Sequence, residues 1–244
     1  MLAHVDTLRQ DQPRVGTRKL HHALATAGVP VGRDRLFHTL RTTGRLVRRK
    51  RRATQTTYSR HDYAVAPNRV KTLAVTAACQ VVVSDITYLR LADGAFAYLF
   101  LVTDLYARYI VGWHVSRDLS HHAALHALDA AQRTLGPCTG IVHHSDRGCQ
   151  YCCHDYLAAL ASLRMIPSMT DAAHCYQNAV AERVNGILKD EFHLDAVFPS
   201  VTAAHDAVAH AVRIYNTVRI HWSLALQTPH AVFHHAPARS ASPV

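Results

Sequence analysis

The sequence predicts an α/β fold, a mixed sheet flanked by helices, with a helical region before it and a helical tail after it. Three observations carry that expectation. Between residues 81 and 115 lie three β-branched or apolar runs joined by short links. From Leu125 onward, helical periodicity alternates with short strand-like runs. A chain of 244 residues with 49% apolar content is also long enough for one sizeable core and a smaller module.

The elements follow in order. From Gly16 to Gly44 the pattern reads helix, turn, helix: Leu20, Leu24 and Ala27 share one face, Gly28 to Gly32 interrupts it, and Leu36, Phe37 and Leu40 form a second stripe. The second helix carries Arg33, Arg35 and Arg41, a suitable set for a DNA groove. Residues 53–74 read as a linker, rich in Thr and Ser. Val81 to Leu89 is then the first strand, Asp93-Gly94 a turn, Ala95 to Thr103 the second strand and Tyr109 to Val115 the third, an antiparallel meander. A helix through Leu125, Leu128 and Leu135 stops at Gly136-Pro137. A strand at Ile141 to His143, a helix near Asp155 to Leu163 and a strand around Met165-Ile166 complete the alternation. The expected organisation is a helix-turn-helix and basic region at 1–52, the linker at 53–74, a core at 75–200 and a helical tail at 201–244.

Charge narrows the partners. The net charge is +10 at pH 7, yet residues 1–60 alone hold 14 Lys or Arg against 3 acids. The rest of the chain is close to neutral. The run Arg48, Arg49, Lys50, Arg51, Arg52 repels itself unless something anionic sits beside it, which favours double-stranded DNA. No amphipathic or lipid-modified segment accompanies the run, and the longest apolar stretch, Ala95 to Val102, is too short to span a bilayer. No membrane association is expected. Without a signal peptide, and with six irregularly spaced cysteines, the chain reads as cytoplasmic.

Three local motifs sharpen this reading: Ser84-Asp85-Ile86-Thr87-Tyr88, His143-His144-Ser145-Asp146-Arg147-Gly148, and Asn178-Ala179-Val180-Ala181-Glu182 followed by Lys189 and Glu191. They resemble the ribonuclease-H-like, integrase-type core of bacterial insertion-sequence transposases, in particular the two-reading-frame OrfAB class, the IS-three family. Asp146 and Glu182 have 35 residues between them, as in that family's D,D(35)E pattern. Tyr215-Asn216, Arg219, His221, Leu224 and Thr228-Pro229 resemble its C-terminal end, and Gly16 to Leu20 its N-terminal helix-turn-helix. The chain departs from the family pattern at Val15, Val82 and Gln177, none of them a catalytic acid.

The resemblance implies Asp85, Asp146 and Glu182 as catalytic and metal-binding acids holding two Mg²⁺, with Mn²⁺ able to substitute. By the same resemblance, Asp85 bridges the ions while Asp146 and Glu182 each hold one side. The chemistry explains the residue types, because phosphodiester displacement gathers charge on the entering and leaving oxygens and hard cations take carboxylate ligands. An acid inside an apolar strand, as Asp85 is, is costly unless paired or metal-bound. The expected reaction is cleavage and 3′-hydroxyl strand transfer at insertion-sequence ends during DNA recombination. A homo-oligomer on DNA and an upstream-frame (OrfA) partner or fusion go with it. A catalytically inert DNA-binding protein, either a domesticated regulator or a decayed copy, is the alternative, and terminal inverted repeats in the flanking DNA would discriminate the two.

Other residues compete for attention. Asp104 ends a strand but lacks the Ile-Thr-Tyr context and reads as structural, paired with Arg108. His122, His126, Cys149 and Cys152 have zinc-ligand types but straddle Asp146 within the core, so packing is the favoured reading. His143 and His144 either tune the site or simply pack. At about 100° per residue, Val180, Val184, Ile187 and Leu188 fall on one side of the last helix. Asn178, Glu182, Asn185 and Lys189 form an opposite polar stripe expected to meet metal and DNA together. Glu191, the chain's other glutamate, falls in line with the apolar side and is expected to lie past the helix end or be paired locally.

Overall fold

In the computed structural model, residues 1–47, 65–171 and 178–235 are described. The basic run Arg48 to Arg52 lies outside them. The N-terminal module is three helices, α1 (Leu2–Asp11), α2 (Thr17–Thr26) and α3 (Arg33–Thr42). Leu20, Leu24, Leu36 and Leu40 pack with Val5 and Val15 into a small core of their own. The helix α1, which sequence periodicity did not mark, supplies Val5 to that core. Between α2 and α3 the chain turns at Gly28, whose φ of +72° lies where a side chain would be strained.

The sheet is built around β1 (Val81–Leu91). β1 pairs antiparallel with β2 (Phe96–Asp104), from Val82 opposite Asp104 to Arg90 opposite Phe96, and β2 pairs antiparallel with β3 (Ile110–Ser116). After α4 (His121–Leu135), β4 (Val142–Ser145) joins β1 in parallel on its other edge. Two short helices, α5 (Cys149–Cys152) and α6 (His154–Ser162), lead to β5 (Ile166–Met169), parallel to β4. α7 (Ala179–Glu191) then precedes a two-residue strand β6 (Val197–Phe198) that pairs in parallel with the end of β1. The main path is β3-β2-β1-β4-β5. β6 is too short for alternation to reveal it.

Strand alternation divides the core. Val82 and Ile86 of β1 face α4 and α6, while Leu89 and Leu91 face α7 and α8 (Val201–Thr217). α4 lies very close to β3 because its contact stripe is alanine and its partner is Gly112. A Cβ on Gly112 would stand 2.4 Å from the Ala127 carbonyl oxygen. On the other face, Ala204, Val208, Ala211 and Tyr215 of α8 join Val184, Ile187 and Leu188 of α7 in one cluster with β1 to β3. The expected boundary at residue 200 is thereby corrected: α8 is part of the sheet's covering layer, because its apolar stripe buries against α7 and the strands. The last helix, α9 (Pro229–His235), stacks Phe233 on Tyr109 at 4.6 Å. Among the described residues, no helix is long and apolar enough to cross a membrane.

Candidate active site

β1 has an open stretch on one edge. β4 pairs with it only from Val81 to Val83, and β6 only at Arg90 and Leu91. Between them lies Asp85, at the point where β4 leaves the sheet and delivers Asp146. Two parallel strands thus bring two acids near each other, Asp85 midway along β1 and Asp146 just past the carboxyl end of β4. α7 covers the open edge and contributes Glu182.

Each acid is positioned differently. Asp85 is half-buried, and its Oδ2 accepts a 2.7 Å hydrogen bond from Asn185 Nδ2. Burial and the negative charge of Asp146, with a smaller contribution from Glu182, push its carboxyl up to about 7 despite that bond. Asp146 turns its Oδ1 back to accept from the Gly148 amide at 2.9 Å. A Cβ at Gly148 would sit 3.0 Å from that same oxygen and make it shift slightly. Glu182 lies in the first turn of α7 and is exposed. Among the described residues, no three His, Cys, Asp or Glu side chains are grouped closely enough to hold one ion. The two aspartates converge, and Glu182 would have to turn inward to join them.

The polar stripe of α7 differs from the open surface expected of it. Asn178 and Asn185 are buried, Lys189 is half-buried, and Glu182 alone of the four is exposed. The reason is that this stripe packs on the gap in β1. Asn178 Nδ2 donates to the Ser84 carbonyl at 3.0 Å, satisfying a backbone acceptor on the edge that β4 leaves, and Asn185 donates to Asp85. In this structure both amides turn their Nδ2 groups to β1 and not to open solvent. Lys189 sits where the charge of Asp85 raises its pKa against a larger lowering by burial.

Behind the acids, His143 Nε2 lies 2.8 Å from Ser84 Oγ and 2.9 Å from the Tyr156 hydroxyl. Burial, with His144 beside it, pushes this imidazole down to about 3, so it is neutral and braces β1 next to Asp85. His144 Nδ1 bonds to Ser168 Oγ at 2.9 Å. Asp104 accepts from the amides of Cys79 and Ala107, both at 2.7 Å, and so holds a turn, while Arg108 acts on it only through its charge. His126 lies against the His114 ring, and Cys152 Sγ is 3.6 Å from Met169 Sδ. On α3, Arg33, Arg35 and Arg41 are all exposed, and Arg33 pairs with its neighbour Asp34 at 3.0 Å.

Glu191 occupies the last position of α7 and is paired, though not locally. Arg219 grips both of its oxygens at 2.8 Å, and Lys19 from α2 adds a third contact at 3.2 Å. Arg219 also donates to His221 Nε2 at 2.7 Å if that ring is neutral, as its pKa of about 3, lowered first by burial, implies. Sequence reasoning missed this network because its members are far apart along the chain.

The fold class is ribonuclease-H-like. Solved structures of retroviral integrases share it: the HTLV-2 integrase catalytic core in complex with magnesium has a TM-score of 0.51 at 14% identity, covering 69% of this chain and 98% of its own. A simian T-cell lymphotropic virus intasome has a TM-score of 0.56 at 18% identity, covering 98% of this chain and 78% of that one. Integrase core domain families match residues 75–175 and 163–229. The 31 kDa protein of insertion element IS600 from Shigella sonnei is 35% identical over 94% of this chain and 84% of its own length. The Shigella sonnei transposase of IS629 is 32% identical over 71% of the chain, and the Escherichia coli K12 transposase InsF of IS3A 31% identical over 75%. Those two matches span 58% and 63% of the relatives' own lengths. The chain belongs to the IS3-type family of bacterial insertion-sequence transposases, DDE enzymes with an integrase core.

Proposed function

We propose that Asp85, Asp146 and Glu182 are the catalytic acids of this transposase and that they hold two Mg²⁺ ions, with Mn²⁺ able to substitute. The observation that carries this reading is an aspartate in the central strand whose carboxyl is lifted to about 7 by burial and by the other two acids. A surplus of hard, mutually repelling carboxylate oxygens is the donor set a divalent cation relieves. When bound, the ions stabilise charge on the entering and leaving oxygens of an in-line phosphodiester displacement. The chain's own residues prepare that chemistry. Asn185 holds one oxygen of Asp85, the Gly148 amide holds one of Asp146, and Lys189 adds a cation beside them that can engage a DNA end.

The substrate is double-stranded DNA, cleaved at the insertion-sequence ends, whose 3′-hydroxyls are transferred into target DNA. The exposed arginines of α3 and the run Arg48 to Arg52 bind its phosphates and grooves. A homo-oligomer on paired ends, with an OrfA partner or fusion, and association with the nucleoid complete the reading. The test is Asp85→Asn and Asp146→Asn, each assayed with end-bearing DNA in Mg²⁺ and in Mn²⁺. Both cleavage and strand transfer should fall below detection while DNA binding stays within a few-fold. Wild-type turnover in either variant removes that acid from the assignment.

A further inference from the structure

A cleft of about 1130 Å³ separates the N-terminal helices from the core, and none of the three acids lines it. It lies against the other side of α7, where Val180, Arg183, Val184, Ile187 and Glu191 face it. Seven Lys or Arg side chains and two acids line its walls. Both acids are already used: Glu191 is held by Arg219 and Lys19, and Asp34 by Arg33. Arg18 on α2 and Arg183 on α7 are exposed, and neither has an ion-pair partner among the described residues. The crowding of positive charge is felt inside the cleft, where burial, Arg219 and Arg183 hold Lys19 down to about 8 against the pull of Glu191.

Two large aromatic side chains stand exposed at the same cleft, Phe37 at 45% and Trp222 at 57%. Trp222 does not merely lie on a loose surface. It starts a 3₁₀ turn followed by Ala225 and Leu226 at φ +50° and +64°, a conformation that is strained for leucine. A bridge between His221 and Gln227 clamps this turn, with both the Gln227 carbonyl and the His221 carbonyl accepting across it at 3.0 and 2.9 Å. The exposed Trp222 thus sits on a fixed turn in the same cleft as the exposed Arg18 and Arg183.

At roughly 1,000 Å³ the cleft has the volume of a large small-molecule pocket, enough to hold a few nucleotides of one strand. Guanidinium groups on phosphates and an aromatic face for a base are the combination that binds unpaired strands without reading their sequence. We propose that this cleft is a second nucleic-acid site that binds a short run of unpaired DNA, with phosphates on Arg18 and Arg183 and a base stacked on Trp222. It rests on the reading above that the protein processes DNA ends, and it places a released single strand across α7 from the catalytic acids.

Trp113 and Trp222 are the chain's two tryptophans, so Trp113→Phe leaves Trp222 as the sole indole reporter in the full-length protein. Titration with a short oligothymidine should quench its emission to saturation, and a blunt duplex should quench it much less. Trp222→Ala should weaken oligothymidine binding about tenfold. Arg18→Ala with Arg183→Ala should weaken it at least as much and flatten the log–log salt slope by about 1.4, for two phosphates on a single strand. All three residues are exposed, so circular dichroism should be unchanged. Duplex binding with no oligothymidine quench, or single-strand affinity indifferent to the arginine pair, overturns the cleft assignment alone. Failure of the wild-type chain to bind any DNA overturns it together with the DNA-processing reading.

Discussion

The chain has two glutamates, and α7 carries one at each end. Glu182 is exposed in the first turn, near two aspartates, and adds to the charge that raises Asp85. Glu191 is largely buried at the last turn, bonded to Arg219 and Lys19, and held below the ordinary carboxylate range because those cations outweigh its desolvation. One helix therefore holds an exposed carboxylate that adds to the charge around Asp85 and a largely buried one whose surroundings demand its charge. The difference teaches that residue type says little here; the neighbours separate the carboxylate proposed to take a metal ion, exposed near two aspartates, from the one that fastens the N-terminal module to the core between two cations.

The largest expected effect lies at the uncompensated end. Glu182→Gln should lower strand transfer by at least about a thousandfold if, as proposed, it removes a metal ligand where charge develops in the transition state. Thermal unfolding should barely change, because the side chain is exposed. Near-normal transfer by this variant would break the contrast.

At the compensated end the effect should appear in stability. Glu191→Gln leaves Lys19 and Arg219 buried side by side and should cost about 3 kcal/mol by denaturant titration. Activity per folded molecule should persist. The sign of the pH dependence follows from the lowered pKa: the stability that Glu191 contributes is present above its unfolded value and is lost as pH falls through the folded one. The gap between wild type and Glu191→Gln should therefore begin to narrow as pH falls below the ordinary glutamate value of about 4.3, and close only below the lowered folded one. A gap that widens in acid would contradict the ion-pair account.

Asn185→Ala sharpens the comparison from the other side. Its amide is the strongest influence lowering Asp85, so its loss should raise that carboxyl further above about 7. Activity at pH 7 should fall about tenfold and recover toward pH 9, with the acid limb of the rate profile moved upward. A loss that is flat across pH would make Asn185 a packing residue only. The smallest effect belongs to Gly148→Ala, whose Cβ would press on Asp146 Oδ1 from 3.0 Å and on Gln150 Oε1 from 3.1 Å. A few-fold drop in rate, without loss of DNA binding, is the expected result.

Much of the fold was legible along the chain. β1, β2 and β3 are β-branched or apolar runs buried along most of their length, so composition and the short links between them mark them as strands, and Gly136 stops α4 where the glycine stands. Short or buried features were not. β6 has two residues, and α1 lacks the strong amphipathic pattern that would mark it, so neither announces itself locally.

By itself, the sequence determined the order of the longer helices and strands, the concentration of basic charge before residue 60 and the three acid-bearing motifs, because each is written in neighbouring residues. Only the tertiary structure decided what those residues touch. The polar stripe of α7 reads the same whether it meets water or a strand, and it is the gap between β4 and β6 on the edge of β1 that buries Asn178 and Asn185. Glu191 likewise finds partners 172 and 28 positions away, beyond the reach of any local pattern. Helical periodicity fixes which residues share a side, but the burial that gives a side its chemistry depends on elements brought against it from elsewhere in the chain.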